Sequence, residues 1–167
     1  MMRRLFCPDD YADSAYTLDY AQLYARGYRG LIFDIDNTLV PHGAPATPEV
    51  HALFARLHAM GFRTLVLSDN SAQRVQTFLQ GIDTQFINSA RKPRPGAFRR
   101  AVRLLGLPKS QIVCIGDQIF TDLLGAHLSG LDGILVKYIG HDAPGPKGKR
   151  RAAEAWILAH YHMGGAS

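Results

Sequence analysis

The sequence predicts an α/β fold, a doubly wound (Rossmann-like) parallel sheet with helices on both faces. Apolar segments of strand length alternate with amphipathic segments of helical spacing along most of the chain. This alternation is typical of βαβ units, in which each helix crosses over to a parallel strand. Polar and acidic residues follow several of the apolar segments, at the points where the chain leaves the sheet. Ligands bind at that edge in such folds, so the edge is where a functional site is expected.

Helix signals organise the first half of the chain. Thr47, Pro48 and Glu49 supply a capping hydroxyl, a first-turn proline and an acid near the positive end of a helix. Apolar residues then recur at helical spacing until Gly61, which favours termination. The elements expected here are a helix over 18–26 capped by Thr17, a strand over 29–34, the helix from Thr47 to Gly61, a strand over 62–67 and a helix over 71–80.

Prolines and apolar runs organise the second half. Pro93 and Pro95 block regular structure before the next helix. The run from Ile112 to Ile115 reads as a strand, in which Cys114 is a small core residue rather than a nucleophile. The elements expected here are a short apolar piece at 86–87, a helix over 96–105, a strand over 111–115, a helix over 121–129, a strand over 132–136 and a helix over 149–161.

Length and composition indicate a single domain over residues 1–167. Its motif-bearing core is expected at about 29–136, after a loose lead-in over 1–16 and before a basic segment over 140–167. No apolar run approaches the roughly 20 residues that span a bilayer, and the start does not resemble a signal peptide. Two cysteines make a disulfide framework improbable. We therefore expect a cytoplasmic protein without a transmembrane segment.

The charge distribution favours anionic partners. The chain has 19 basic and 14 acidic residues, and setting aside four carboxylates assigned below to one site leaves 14 − 4 = 10 acids. Such a basic exterior suits phosphoesters, acidic lipid or nucleic acid, although either basic cluster is equally explained as a solubilising surface. We expect peripheral contact with the inner face of an anionic membrane and no nucleic-acid partner. The two clusters are Arg91, Lys92, Arg94, Arg99, Arg100 and Arg103, and Lys147, Lys149, Arg150 and Arg151.

Two carboxylates end the first well-defined strand. Asp34 and Asp36 follow the apolar run from Leu31 to Phe33 and project to the same side of an extended chain. Because paired acids repel and resist burial, a cation should offset them, and a hard divalent metal is the natural candidate. The alternative is a solvated acidic turn, which is common after strands.

Three further polar residues follow later strands. Ser68, Lys92 and Asp117 all fall at or near the edge that carries the first acidic pair. Each has an ordinary explanation when taken alone, as a turn former, a solvated loop charge or a turn acid. Together they place carboxylates, a hydroxyl and an ammonium group at one edge, a set suited to metal-assisted phosphate chemistry.

The four segments that carry these residues resemble the ordered motifs of the haloacid dehalogenase (HAD) superfamily. Asp-Asn-Thr-Leu-Val with Gly-Asp-Gln-Ile-Phe-Thr-Asp looks like its capless subclass IIIA, which includes phosphatidylglycerophosphate phosphatases. Asp69 stands where those relatives usually have asparagine, and 125–130 lacks an expected Asn-Arg pair. The segments are Phe33 to Leu39, Leu67 to Asn70, Lys92-Pro93 and Gly116 to Asp122.

The resemblance implies a magnesium-dependent phosphomonoester hydrolase that forms an aspartyl-phosphate. In it Asp34 is the nucleophile, and Asp36 first protonates the leaving group and then activates water. Ser68 and Lys92 bind the phosphoryl oxygens and stabilise the transition state.

The resemblance also implies a set of metal-binding residues. Mg²⁺ is expected on the carboxylates of Asp34 and Asp117 and on the backbone carbonyl of Asp36. Asp122 is either a further metal ligand or an acid that does not bind the metal itself but orients metal-bound water and Lys92.

The short gaps between motifs leave no room for a cap domain, so we expect an open site. Neither 40–47 nor the stretch between Asn70 and Lys92 is long enough to hold one. An open site favours a substrate that brings its own surface, such as the lipid headgroup of phosphatidylglycerophosphate. The alternatives are a soluble, protein or nucleic-acid phosphomonoester, or a non-catalytic or response-regulator-like phosphate-binding module. His42 and His127 are expected at the surface, and the role of Asp69 is left open.

Overall fold

A single parallel sheet organises the computed structural model, which describes residues 5–140 and 146–162. Its strand order is β1-β6-β5-β2-β3-β4, and every pairing is parallel. Helices cover both faces, which confirms the predicted doubly wound fold. The strands are β1 Asp10–Ala12, β2 Gly30–Phe33, β3 Arg63–Leu67, β4 Gln85–Ile87, β5 Ile112–Gly116 and β6 Asp132–Val136.

The helices lie close to the positions that the sequence predicts. A π-helical turn over Ile119–Leu123 leads directly into the helix expected over 121–129, and the last helix begins three residues before 149. Within the described ranges, none of the helices has the length and hydropathy to cross a bilayer. The helices are α1 Tyr20–Ala25, α2 Pro48–Ala59, α3 Ala72–Phe78, α4 Pro95–Leu105, α5 Leu124–Leu128 and α6 Pro146–His162.

Two apolar layers form the core because successive strand residues point to opposite faces of the sheet. Leu31 and Phe33 pack in the layer that includes α1, α2 and α3, whereas Ile32 packs in the layer of α4 and α5. Cys114 lies fully inside the second layer, as expected of a small core residue. Both faces of the central strands are therefore buried, which explains their unbroken apolar runs.

Side-chain caps start three of the helices. Thr47 and Ser71 accept hydrogen bonds from backbone N–H groups in the first turns of α2 and α3, as the capping pattern predicts. The predicted cap of α1 is wrong, because Asp19 rather than Thr17 accepts from the Gln22 N–H. The Thr17 hydroxyl instead donates to the Ser14 carbonyl, and α1 begins two residues later than expected.

The loose lead-in expected over 1–16 is wrong at Asp10–Ala12, which form the edge strand β1 beside β6. The segment is anchored by Asp9, whose backbone N–H donates to the Gly133 carbonyl at 2.9 Å and whose carboxylate accepts from the Gly133 N–H at 2.7 Å. A strand of three residues is too short for periodicity to reveal. Residues 1–4, and 141–145 and 163–167 of the expected basic segment, lie outside the described residues.

The topology gathers the predicted motifs at one edge. β2 lies between β5 and β3, and all three strands run in the same direction. The residues that follow these strands therefore emerge side by side, and the loop after β4 joins them from the next strand. This is the carboxyl edge at which doubly wound folds bind ligands.

Candidate active site

The turn after β2 presents the first acidic pair. The Asp34 N–H still donates to the Ile115 carbonyl of β5 at 3.1 Å, which fixes its carboxyl group at the sheet edge. Asn37 adopts a left-handed conformation (φ 62°), which asparagine tolerates, and its N–H donates to the Val40 carbonyl at 2.6 Å. This tight turn buries the Thr38 side chain, whose hydroxyl donates to Asp117 Oδ1 at 3.0 Å.

Three buried carboxyl groups converge beside this turn. One carboxylate oxygen from each of Asp34, Asp117 and Asp122 lies within 4.8 Å of the other two. Burial raises the pKa of Asp34 to about 8; the Lys92 charge opposes this shift, and the charges of Asp122 and Asp117 add to it. Burial and Asp122 also raise the pKa of Asp117. The cluster holds more negative charge than its surroundings neutralise.

Lys92 joins two of these acids. Its ammonium group lies 2.9 Å from Asp34 Oδ1 and 2.6 Å from Asp122 Oδ1. Burial alone would lower the pKa of Lys92, but Asp122 and Asp34 outweigh burial and raise it well above the usual value. Asp69 Oδ1 accepts a hydrogen bond from the Lys92 N–H at 3.0 Å. The acid at position 69, a departure from the family pattern, therefore anchors the backbone of this lysine.

Asp122 occupies its place because residue 116 is glycine. A Cβ on Gly116 would lie 2.5 Å from the Asp122 side chain, so only glycine permits this approach. Asp122 Oδ1 binds Lys92, and Oδ2 accepts from the Gln118 N–H at 3.2 Å. Both oxygens of Asp122 are thus engaged, and one of them holds the Lys92 ammonium group in place.

Ser68 and Asp36 are connected through Asn70. The Asn70 amide donates to Ser68 Oγ at 3.0 Å and to Asp36 Oδ2 at 2.6 Å. Ser68 is buried at the end of β3, and its carbonyl accepts from the Ala90 N–H. Since the Ser68 oxygen accepts from Asn70, its own proton can be donated to a third group, such as a bound oxyanion.

The environment of Asp36 differs from that of Asp34. Burial favours the neutral acid, but hydrogen bonds from Asn70 and from the Gly43 N–H, at 2.9 Å, outweigh it and lower the pKa of Asp36. Arg74 lies 3.5 Å from Asp36 Oδ1 and adds positive charge. The surroundings thus lower the pKa of Asp36 and raise that of Asp34, although the two acids are only two positions apart.

Sequence reasoning missed two site residues in α6. The Arg151 guanidinium donates to the Asp117 carbonyl at 2.8 Å and also to Asp117 Oδ2, and it stacks on the Tyr138 ring at 4.2 Å. Glu154, one turn later, pairs with Arg151 at 3.3 Å and accepts from the Ile119 N–H at 2.9 Å. We call this pair the Arg151–Glu154 brace. Its only sequence signal is opposite charges three residues apart in a helix.

The C-terminal basic cluster was expected to be a free surface, and the Arg151–Glu154 brace shows that this expectation is wrong for Arg151. Arg151 was expected there together with Lys147, Lys149 and Arg150, but its side chain is only 21% exposed and binds Asp117. Lys149 is exposed, and the side chains of Lys147 and Arg150 lie outside the described residues. Arg151 therefore contributes to the site rather than to a membrane-facing surface.

The site has the composition of a hard-cation site. Together with Glu154, which also pairs with Arg151, the three buried acids face two cationic side chains, so two negative charges are left over when all four acids ionise. Carboxylate oxygens are the donors that Mg²⁺ and Ca²⁺ prefer. All three acids already have side-chain partners, since Lys92 binds Asp34 and Asp122 while Thr38 and Arg151 bind Asp117, so a cation here would compete with these contacts.

The two histidines near the motifs have different positions. His42 is 65% exposed, and its Nδ1 lies 3.6 Å from Asp36 Oδ2, at the mouth of the site. The surface position expected for His127 is wrong, because its side chain is only 7% exposed. His127 bonds to the Leu5 carbonyl and to Asp9 Oδ2, each at 2.8 Å, and so ties the N-terminal segment to α5.

Comparison with known proteins places the chain in a family. A model of the HAD-hydrolase-like family matches residues 89–157. The probable phosphatase YqeG of Bacillus subtilis (strain 168) is 38% identical over 137 residues, which make up 81% of this chain and 80% of that protein. The chain belongs to the haloacid dehalogenase-like hydrolases. As a member with phosphatase-named relatives, it is an enzyme of the phosphatase type, which confirms the predicted HAD superfamily.

Other HAD-like proteins resemble the chain less closely. The chloroplastic phosphatidylglycerophosphate phosphatase 1 of Chlamydomonas reinhardtii is 29% identical over 84% of this chain, which spans only 56% of that protein. A predicted phosphoglycolate phosphatase from Haemophilus somnus 129pt shares the fold with a TM-score of 0.58 at 15% identity, over 75% of this chain and 92% of that one. The cobalt-bound deoxy-D-mannose-octulosonate 8-phosphate phosphatase of Haemophilus influenzae has a TM-score of 0.56 at 17% sequence identity. The match covers 80% of this chain and 89% of that one.

Proposed function

We propose that this HAD-type phosphatase hydrolyses phosphomonoesters through an aspartyl-phosphate, with Mg²⁺ as its cofactor and phosphatidylglycerophosphate as its substrate. The main support for the proposed reaction is the position of Lys92 between Asp34 and Asp122, beside Asp117. Asp34 binds the Lys92 ammonium group through Oδ1, and among the described residues no hydrogen-bond partner occupies Oδ2, the oxygen proposed to attack. Family membership also argues against a non-catalytic phosphate-binding module.

The first half-reaction uses Asp34 as nucleophile. Its carboxylate forms a bond to phosphorus as the bond to the leaving alkoxide breaks. A divalent cation held by Asp34 and Asp117 would supply the positive charge that keeps Asp34 ionised and lets it approach an anionic phosphoryl group. The Lys92 ammonium and the Ser68 hydroxyl are suited to binding the non-bridging oxygens, on which the transition-state charge spreads.

Asp36 serves both halves of the reaction in this proposal. A phosphoryl dianion beside it would raise its pKa, because like charges disfavour ionisation, and would make an acid available to the leaving group. Once the alcohol has left, the low pKa favoured by Asn70 and Gly43 returns Asp36 to its ionised form. That form can take a proton from the water that attacks the aspartyl-phosphate.

The substrate proposal draws on the relatives and on the charge of the chain. Relatives from Chlamydomonas and Arabidopsis are named phosphatidylglycerophosphate phosphatases. The net charge of +5 favours an acidic lipid surface, and each lysine or arginine near such a surface contributes about 1 kcal/mol. Trp156, 63% exposed on the same helix as Lys149, is a residue type that favours membrane interfaces. We place the enzyme in the cytoplasm, peripheral to the inner face of the membrane.

Turnover of a phosphomonoester panel tests the reaction. The protein should hydrolyse phosphatidylglycerophosphate in mixed micelles with Mg²⁺ and stop when the metal is chelated. Asp34→Asn should abolish turnover, because an amide is a far poorer nucleophile and lacks the charge that attracts a cation. Retention of about a tenth or more of the wild-type rate, a loss too small for a missing nucleophile, would exclude the aspartyl-phosphate mechanism.

Co-sedimentation with vesicles tests the proposed location. The protein should bind acidic vesicles at low salt, ignore neutral ones and detach as rising salt shortens the Debye length. A protein that stays in the supernatant with acidic vesicles at low salt would exclude the membrane and favour the alternative of a soluble phosphomonoester.

A further inference from the structure

A cleft opens beside Lys92, with α6 as one of its walls. Its volume is about 480 Å³, within the usual range of small-molecule sites. Short gaps between the motifs predict an open site, but this helix, which follows the motif-bearing core, partly encloses it. The lining residues are Lys92, Pro93, Phe120, Thr121, Lys149 and Ala153.

The cleft wall contributed by α6 is held in a fixed position. Lys149 and Ala153 are one helical turn apart and therefore share a face of α6. The Arg151–Glu154 brace ties the same turns of the helix to Asp117 and to the Ile119 N–H. Further along α6, Ile157 and Leu158 pack on the apolar cluster of Ile119, Leu123 and Leu135. The position of Lys149 relative to the acidic cluster is thus set by buried contacts.

The lining residues point to the chemistry of an occupant. Pro93, Phe120 and Ala153 give apolar walls, Thr121 a hydroxyl and Lys149 an exposed ammonium group, and none of the described residues that line the cleft has a carboxylate. Lys92, at the inner end, already binds Asp34 and Asp122. Lys92 is the residue that the lining shares with the acidic cluster, and an occupant that extends from Lys92 into the cleft meets carbon-lined walls and then a second positive charge.

We propose, building on the function above, that this cleft binds the alcohol part of the substrate and that Lys149 pairs with a second anionic group on it. The substrate class is a glycerol phosphomonoester whose far end carries a phosphodiester. The glycerol carbons lie against the apolar walls, and the diester oxygen lies at Lys149. This chemistry is shared by a membrane lipid headgroup and by its water-soluble, deacylated form.

The test compares Lys149→Gln with a matched control. Lys109→Gln removes the same charge from an exposed lysine at the opposite edge of the sheet, just before β5. The substrates are phosphatidylglycerophosphate in mixed micelles, its deacylated form, and glycerol 3-phosphate, which has no second phosphate.

Lys149→Gln should lower kcat/KM for both diester-bearing substrates about tenfold relative to glycerol 3-phosphate, mainly through KM. A tenfold change is about 1.4 kcal/mol, as expected of one charge-assisted contact. Lys149→Arg should restore most of the loss, and Lys109→Gln should behave as wild type. In the Asp34→Asn background, calorimetric binding of the deacylated compound should weaken by the same factor, a readout that needs no turnover.

Two results would overturn the inference. If Lys149→Gln affects only the micellar substrate, Lys149 contacts the lipid surface rather than the substrate. If all three substrates lose equally, Lys149 does not recognise the second phosphate. Failure of the proposed function is a different result, because wild type would then leave phosphatidylglycerophosphate intact while still hydrolysing other phosphomonoesters.

Discussion

Replacing Arg151 with glutamine tests whether α6 stabilises the site. The substitution removes a guanidinium that donates to Asp117 Oδ2, to the Asp117 carbonyl at 2.8 Å and to Glu154 at 3.3 Å. Asp117 would remain buried, with the Thr38 hydroxyl as its remaining side-chain donor among the described residues. A buried carboxylate that loses its cation is costly because it can regain neither water nor charge.

The expected loss of stability is about 2–3 kcal/mol. Breaking a fully buried ion pair by removing one partner costs about 3–5 kcal/mol. The value here lies below that range, because the Arg151 side chain is 21% exposed and Thr38 still donates to Asp117. For a domain of this size each kcal/mol lowers Tm by about 2–4 °C, so Tm should fall by about 4–12 °C. Saturating Mg²⁺ should reduce the difference, since a cation at Asp117 replaces the lost charge.

Thermal unfolding followed by circular dichroism and by Trp156 fluorescence measures this effect. Trp156 is the single tryptophan of the sequence and lies on α6, so its emission reports on the helix that carries the substitution. Arg26→Gln is the control, because its ion pair with Asp10 is about 40% exposed on both sides and should contribute less than about 1 kcal/mol. Equal Tm values for the two variants, both within about 1 °C of wild type, would refute the reasoning.

Three further substitutions test other parts of the structure. Asp36→Asn should slow phosphoryl transfer by about 100-fold for poor leaving groups and by less for p-nitrophenyl phosphate, in single-turnover assays. Gly116→Ala should lower kcat/KM strongly, because its Cβ would lie 2.5 Å from the Asp122 side chain and displace it. His127→Gln should lower Tm more at about pH 6 than at about pH 8. Burial opposes the charged imidazole ring, but Asp9 outweighs burial and raises the pKa of His127 above 6.5. The stabilisation from the charged ring is therefore lost as pH rises through that raised pKa.

Each of these expectations has a contrary outcome. Equal losses for good and poor leaving groups would remove the acid role of Asp36. Wild-type kinetics in Gly116→Ala would mean that Asp122 does not need its observed position. A pH-independent effect of His127→Gln would show that the ring gains nothing from its proton in the folded state.

Most of the fold was predictable because the central strands are continuous apolar runs between clear helix signals. β1 was not, since Asp10–Ala12 is too short for periodicity and is anchored through Asp9, far along the chain from its partner Gly133. The cap of α1 was assigned to Thr17 because propensity alone cannot choose between two good capping residues.

The candidate site shows a similar division. The chain order of the motifs was enough to propose Asp34, Lys92 and Asp122, and the structure brings them together. The Arg151–Glu154 brace was not foreseen, because helix periodicity does not reveal which distant loop a polar side chain will reach. Arg151 was instead grouped with its basic neighbours, since sequence shows charge but not burial.

The two acids of the first motif, although two positions apart, are controlled by different parts of the chain. Lys92 and the acids after β5 determine the environment of Asp34, whereas Asn70 and Gly43 dominate that of Asp36. Among the described residues, the two sets of partners named here share no member. Substitutions at positions such as His42 and Arg74 can therefore change the charge around Asp36 without touching the named partners of Asp34, whereas Asn70 also donates to Ser68 and is not independent. Evolution, or a laboratory selection, can in this way adjust the proposed acid while the surroundings of the proposed nucleophile are preserved.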